Sequence, residues 1–270
     1  MWALLIWLHG VWRYLNSKCS LVHIFIMQKT ERKIRNVGKL YIQRSEQFHL
    51  KRVVSDFIER LIELSAKHAK DHISLMKYAT FCYGELQMHS IVAPALAKLA
   101  DCFIMEYPIR RGESDNSGRV DYYCVNEVGT TKEYNLFLEL KCGRQGIPYY
   151  NFRKKNIELW HEANSQLDGI LQEIQQNKEF YSKTVMRVCM EVIVLYSDTS
   201  KKEYIKSDIL QDVLSASVNA LESFGDNPNL NVLWEFHPKI VEEAVDEFNG
   251  SRKFWGLLFL CRVMPPILPE

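Results

Sequence analysis

The stretch GRVDYYCVNEVGTTKEYNLFLELKCG, residues 118–143, decides the fold, because its pattern is typical of two strands joined by a turn. Positions 121 and 139 sum to 260, so a hairpin that pairs Asp121 with Glu139 has its turn centred at residue 130, beside Gly129. Side chains alternate along a strand, so Asp121, Glu139 and Lys141 share one face of this hairpin. The stretch therefore predicts two carboxylates and one ammonium group in one neighbourhood.

Two explanations fit charged residues at these positions. A strand with one face in water alternates leucine with charge, and LELK would then form a surface ion pair worth under about 1 kcal/mol. Alternatively, two carboxylates held close together bind a cation, which removes their mutual repulsion. Mg²⁺ takes oxygen ligands, so Asp121, Glu139 and the main-chain carbonyl of Leu140 would hold it. Lys141 would orient the attacking water or help to deprotonate it, which suits phosphodiester hydrolysis.

The composition indicates a globular protein without a strong overall field. The chain has 270 residues, of which 47% are hydrophobic, and this suffices for one large domain. Its net charge of +1 means that nucleic acid must be bound by a local patch. The seven cysteines form no CxxC pair, which favours reduced thiols in a cytoplasmic protein over a zinc or iron-sulfur site. The sequence has neither GxGxxG nor GxxxxGK[ST], so nucleotide cofactors lose their usual support.

We predict three segments along the chain. The apolar runs within residues 1–26 are too short for a spanning helix, and no signal cleavage site follows them. Because Met27 opens an ordinary polar sequence, we expect the native start there, with 1–26 as upstream translation or a disordered extension. Residues 27–71 are expected to form an N-terminal helical region, with an amphipathic helix over 48–70, and residues 72–270 the main domain.

Helices and strands alternate in the main domain. A further helix follows from about 72, kinked or restarted at Pro94. Other helices are predicted over 157–182, 207–224 and 238–248, and other strands over 102–111, 187–197, 231–237 and 254–264. This order predicts an α/β sandwich with a mixed sheet.

The same order of motifs resembles the PD-(D/E)xK nuclease superfamily: a helical glutamate in YGELQMH, the strand FIMEYPI, then RVDYY and LELK. The resemblance covers about residues 80–170, with 190–196 as a further core strand, although Val120 stands in place of the proline in the family's name. It implies a restriction-endonuclease-like α/β/α sandwich with a mixed central sheet and, here, an N-terminal helical extension. Carried over residue by residue, it assigns metal binding and catalysis to Glu85, Asp121, Glu139 and Lys141.

Three further residues lie near this set in the sequence. Glu106 on the preceding strand is the rival of Glu85 as the additional acid. Gln166, in HEANSQLDGIL, matches a helical glutamine that several branches of the family place beside the active site, or it is an ordinary polar residue on an exposed helix face. His89 has no partner at ligand spacing in the sequence, so we expect it to be a surface or structural residue.

A basic and aromatic segment, KCGRQGIPYYNFRKK, follows the hairpin and contains no acidic residue. It would track phosphates and stack an unpaired base, or it is a solvated connection whose aromatic residues pack on the core. The predicted nucleic-acid-binding residues are Arg119, Arg144, Tyr149, Arg153, Lys154 and Lys155.

The resemblance thus implies a cytoplasmic nuclease that hydrolyses DNA with Mg²⁺ or Mn²⁺ and leaves a 5′-phosphate, without any membrane partner. The alternative is a catalytically inactive module that keeps the fold and binds nucleic acid or protein. A homodimer would suit double-strand cleavage, which needs two active sites, and the N-terminal region would form its interface.

Overall fold

The structure, a computed structural model, describes residues 27–45, 49–77, 79–110, 117–147, 151–177, 180, 183–198, 205–222, 227–244 and 252–269. The prediction for residues 1–26 lies outside the described residues.

Strands of the described chain form one eight-stranded mixed sheet in the order β1-β2-β7-β8-β6-β5-β4-β3. Strands β5 and β6 are parallel, and the other neighbouring strands are antiparallel. The strands are β1 Met27–Ile34, β2 Gly38–Ser45, β3 Cys102–Arg110, β4 Ser117–Asn126, β5 Tyr134–Gly146, β6 Thr184–Asp198, β7 Leu230–Phe236 and β8 Arg252–Val263.

Helices cover both faces of this sheet, so the predicted α/β class with a mixed sheet is confirmed. The helices are α1 His49–Met76, α2 Glu85–Leu99, α3 Lys154–Gly169, α4 Leu171–Gln176, α5 Ser207–Glu222 and α6 Pro238–Glu243. Helices α1 and α2 pack on each other, α1 also contacting β7 and β8, and α2 contacting β3 and β5. On the other face, α3 contacts β5 and β6, and α5 contacts β7 and β8.

No helix in the described ranges is long and apolar enough to cross a bilayer.

The predicted register of the β4–β5 hairpin is confirmed. Tyr122 pairs with Leu138 and Tyr123 with Phe137, and both pairs sum to 260. The side chains of Tyr122 and Leu138 are fully buried, as expected for strands in the interior of a covered sheet. The hairpin therefore forms part of the core and is not an appendage of it.

The N-terminal region differs from the prediction. Residues 27–45 form the β1–β2 hairpin instead of helix, and α1 continues past the predicted boundary at 72. The pattern misled because β1 is an edge strand with mostly exposed polar side chains, so it lacks the apolar alternation of an inner strand. Arg32 of this strand lies 3.1 Å from the carboxylate of Glu63 on α1, which fixes the hairpin to the helix.

Gly38 offers a test of how β2 joins the sheet. It has φ +134°, and a Cβ there would collide with the main-chain carbonyl oxygen of Glu235 on β7. We expect Gly38→Ala to lower the free energy of unfolding by about 2–4 kcal/mol in urea titrations. The matched control is Gly129→Ala, since Gly129 has φ +75° but open space around it; its loss should be about 1 kcal/mol. Equal losses would contradict the pairing of β2 with β7.

Candidate active site

The candidate site lies where β4 separates from β5. The β4–β5 pairs end at Tyr122 and Leu138, one step before Asp121 and Glu139, whereas β4 stays paired with β3 as far as Ser117. Beyond this point the Asp121 carboxylate accepts a hydrogen bond from the main-chain N–H of Leu140 at 2.6 Å. A side chain of one strand thus satisfies a main-chain donor of the other, and Asp121 is held beside β5.

Burial decides between the two explanations of the hairpin charges. Asp121, Glu139 and Lys141 are only 9%, 2% and 7% exposed, so the surface ion pair of a solvent-facing strand is wrong. Asp, Glu and Lys are almost never buried without partners, because removing a charge from water is costly. The three side chains therefore need one another or a ligand.

Lys141 is surrounded by carboxylates. Its Nζ lies 3.2 Å from Glu139, 3.6 Å from Glu85 and 3.9 Å from Glu162 of α3. Burial disfavours the charged ammonium, but the nearby carboxylates of Glu139, Glu85 and Asp121 outweigh burial and raise the pKa of Lys141 above its usual value. Lys141 is therefore protonated and suits charge stabilisation or water orientation, not proton acceptance.

The carboxyl groups of Asp121 and Glu85 hold their protons more strongly than usual. Burial raises the pKa of Asp121, although the Leu140 N–H and the Lys141 ammonium lower it. Burial also raises the pKa of Glu85, the first residue of α2. The Lys141 ammonium lowers this pKa, and the Asp121 carboxylate raises it. A bound cation would favour the ionised form of both carboxyls.

His89, expected to be a surface or structural residue, lies beside two acidic residues of the site. One ligand atom each of Glu85, His89 and Asp121 lies within 4.8 Å of the others, so this group could hold a metal ion. The Nδ1 atom of His89 is 2.5 Å from the Tyr122 hydroxyl, and donation of Nδ1–H to this oxygen would leave Nε2 for a metal. The spacing of Glu85 and His89, four residues apart on one helix face, was the available signal.

Glu139 does not belong to this group of metal-ligand atoms among the described residues, because its carboxylate is directed at Lys141. The main-chain N–H of Leu140 donates a hydrogen bond to the Asp121 carboxylate. That the main-chain carbonyl of Leu140 binds a metal stays a prediction.

Glu106, the rival acid, lies between Met105 and Tyr107, which pair with the β4 residues on either side of Asp121. It has φ +53°, a backbone conformation that is unusual for a residue with a side chain and is found at functional sites. Its exposed carboxylate lies 3.7 Å from Arg119. Its charge contributes to the raised pKa of Asp121. Glu106 is thus a neighbour of the site and not a member of the metal-ligand group.

Gln166 reaches the site through an intermediate residue. Its side-chain amide lies 3.5 Å from Glu162, the same carboxylate that lies 3.9 Å from Lys141. Helix α3 therefore places Gln166 at the margin of the site.

The predicted nucleic-acid-binding residues divide into two groups. Arg144 is half-buried and donates to the main-chain carbonyl of Cys82, so its guanidinium joins β5 to the 3-10 turn before α2. Arg153, Lys154 and Lys155 at the start of α3 are exposed. Arg119 is also exposed, and Tyr149 lies outside the described residues.

Glu191, on β6 under the site, is an acidic residue outside the predicted set. Glu191 pairs with Lys141 across the parallel β5–β6 ladder and is completely buried, with no hydrogen-bond partner for its carboxyl among the described residues. Burial raises its pKa well above the usual value and so favours the neutral carboxyl. The signal was a lone acid within the apolar run RVCMEVIVLYS. A Cβ on Gly143 would lie 2.8 Å from this carboxyl, so glycine there makes room for it.

Comparisons of the chain with protein-family models, with curated proteins and with solved structures find no match.

The raised pKa of Asp121 predicts a stability change in metal-free buffer. The folded protein retains the Asp121 proton at pH values where the unfolded chain has lost it. The stability that Asp121 contributes is therefore present in full below its ordinary pKa of 3.8, and it is lost as the pH rises through the pKa of the folded state. We therefore expect Asp121→Asn, whose amide oxygen keeps the bond from Leu140, to be more stable than wild type at neutral pH. The difference should shrink as pH falls toward 3.8 in urea titrations with EDTA. A variant less stable than wild type at neutral pH would contradict this.

Proposed function

We propose that the protein is a metal-dependent nuclease that hydrolyses phosphodiester bonds of DNA. The observation that supports this best is the burial of Asp121, Glu139 and Lys141 beside Glu85 and His89 at the separation of two strands. A structural ion pair would not need a metal-ligand group next to it, whereas a bound metal and a cation near the phosphate suit phosphodiester hydrolysis.

The order of elements supports a restriction-endonuclease-like fold of the PD-(D/E)xK type. A helix that starts with Glu85 is followed by strand β3, by the hairpin with Asp121, and by the Glu139–Lys141 motif on β5. Helix α3 and the parallel strand β6 then follow, as in the pattern on which the resemblance rests.

Glu85, His89 and Asp121 would hold the metal. When bound, the ion would polarise the phosphodiester and lower the pKa of a water molecule. The two carboxylates suit Mg²⁺ and Mn²⁺ equally, but an imidazole nitrogen suits a transition metal better. The donor set thus favours Mn²⁺ over Mg²⁺.

The other residues would position and stabilise charge. The protonated Lys141 is close enough to the carboxylates to contact a phosphate oxygen or orient the attacking water, and Glu139 holds its ammonium at 3.2 Å. The Leu140 N–H keeps the Asp121 carboxylate in place. Exposed Arg153, Lys154 and Lys155 would bind backbone phosphates.

Cleavage of plasmid and single-stranded DNA with Mg²⁺ or Mn²⁺ tests the proposal directly. We expect the wild-type protein to cut, and Glu139→Gln and Lys141→Met to reduce the rate at least about 100-fold, because the first variant loses the carboxylate that positions the Lys141 ammonium and the second loses the ammonium itself. The controls are Glu222→Gln and Lys132→Ala, which change the same residue types at exposed positions away from the site. Cleavage retained in both site variants would place the activity elsewhere. A wild-type protein that binds DNA but neither cuts it nor binds metal would instead be the inactive binding module.

Metal binding provides an independent test by calorimetric titration. Wild type should bind Mn²⁺ more tightly than Mg²⁺, and Mn²⁺ at about ten times its Kd should raise the unfolding free energy by about 1.4 kcal/mol. His89→Gln should weaken Mn²⁺ binding at least about tenfold and Mg²⁺ binding less, because it removes a nitrogen ligand. His72→Gln on α1 is the matched control. Unchanged Mn²⁺ affinity in His89→Gln would exclude the imidazole from the metal site.

A further inference from the structure

A basic cleft opens at the turn between β1 and β2, on the part of the sheet away from the candidate active site. It has a volume of about 410 Å³ and lies between this turn and the junction of β7 with α6. Its lining residues that carry charge or titrate are Lys33, Arg35, Lys39, Glu235 and His237.

The cleft has unneutralised positive charge. Lys33 and Arg35 are exposed, and neither has an acidic partner within the described part of the chain. The carboxylate of Glu235 already accepts hydrogen bonds from Tyr41 and Ser207 at 2.9 Å each. The acid is therefore engaged by the protein itself, and the two exposed basic side chains remain for an anion.

The sheet register places this cleft at the same end of the sheet as the basic start of α3. Gln145 pairs with Leu195, Leu195 with Gly256, and Gly256 with Glu235, so the cleft is level with Gln145 on β5. The side chain of Gln145 accepts a hydrogen bond from the N–H of Arg153, the residue that precedes α3. Arg252 and Lys253, at the start of β8, lie between the two along this end. Basic side chains thus follow one end of the sheet, here called the basic rim: Arg153, Lys154, Lys155, Arg252, Lys253, Lys33, Arg35 and Lys39.

The span from the candidate site to the cleft matches a short length of DNA strand. Four strand spacings separate β5 from β2 and amount to about 19 Å, and the four residues from Lys141 to Gln145 add about 13 Å along the strand. The direct separation is therefore on the order of 20–25 Å, or about seven base pairs along a B-form duplex at about 3.4 Å each.

We propose that this cleft binds the phosphate backbone of the DNA strand that leaves the candidate active site and crosses the basic rim. The inference rests on the proposed function, because it takes the substrate of that site as its ligand. A polyanion is the occupant that a row of basic side chains fits, five of them exposed and Lys39, Arg252 and Lys253 half-buried. On a protein of net charge +1 such a row is a local feature and not a consequence of overall charge.

The test uses the full chain with Glu139→Gln, so that binding is measured without hydrolysis. Fluorescence anisotropy compares double-stranded DNA of about 30 base pairs with a hairpin duplex of about six, which is too short to reach the cleft from the site. The cleft variant is Lys33→Glu with Arg35→Glu. The control, Lys98→Glu with Lys132→Glu, makes the same change of four charge units at exposed positions outside the rim. Urea titration checks that both variants fold.

We expect the cleft variant to bind the longer DNA at least about tenfold more weakly than the control, and the short DNA equally well. The dependence of log affinity on log salt for the longer DNA should fall by about 1.8, for two lost phosphate contacts. Equal affinities of the two variants for the longer DNA would overturn the inference. Preferential binding of phosphatidylserine vesicles over DNA through the cleft would also overturn it.

A cleavage assay of the cleft and control substitutions in the otherwise wild-type chain distinguishes failure of this inference from failure of the proposed function. A rate that falls for the long DNA and not for the short DNA supports both. Cleavage that is indifferent to the cleft leaves the nuclease and removes the inference. Absence of any cleavage, together with the length-dependent loss of binding, would remove hydrolysis and leave a DNA-binding surface.

Discussion

The hydrogen bond from the Leu140 N–H to the Asp121 carboxylate is the contact on which the candidate site depends. It forms where β4 stops pairing with β5, and it replaces a ladder bond by a bond to a side chain. The gap that this separation opens lets the N-terminal part of α2 bring Glu85 and His89 to Asp121. A continuous ladder would close this gap and hold the charged face of the hairpin against a helix. The local failure of pairing is therefore the origin of the site.

Carboxylates outnumber the ammonium group in the gap between β4 and β5. Glu85, Glu139 and Asp121 surround the single ammonium of Lys141, and burial raises the pKa of both Glu85 and Asp121. Such an arrangement lowers the stability of the folded chain at neutral pH, because ionised carboxylates are kept from water without enough positive charge. Natural proteins retain this kind of local instability where function needs it. A cation between Glu85 and Asp121 would balance the excess of carboxylates. A cluster with a purely structural role would not need such an excess.

The sequence predicted the hairpin well because alternation and a short turn determine its register locally, as the pair of Tyr122 with Leu138 shows. It did not predict β1, because an edge strand with exposed polar side chains has the same pattern as a solvated segment. The proximity of His89 to Asp121 was not predicted, for a different reason. It depends on how α2 is rotated about its axis against β4, and residue spacing in the sequence does not determine this rotation. The left-handed conformation of Glu106 likewise coincides with a gap in the β3–β4 pairing, which its residue type does not indicate.

Topology explains why the site and the basic rim lie toward the same end of the sheet. Parallel strands need a crossover connection, so α3 begins where β5 ends and its basic first residues lie beyond Lys141. Strand β7 is antiparallel to β8, as is β6, so β7 runs in the same direction as β5 and also ends at this edge. In open α/β sheets, ligands bind beyond the carboxyl ends of strands for this reason. The chain direction thus gathers Lys154 and Lys155 with the cleft at β7, although more than a hundred residues separate the cleft's Lys33 from them in sequence.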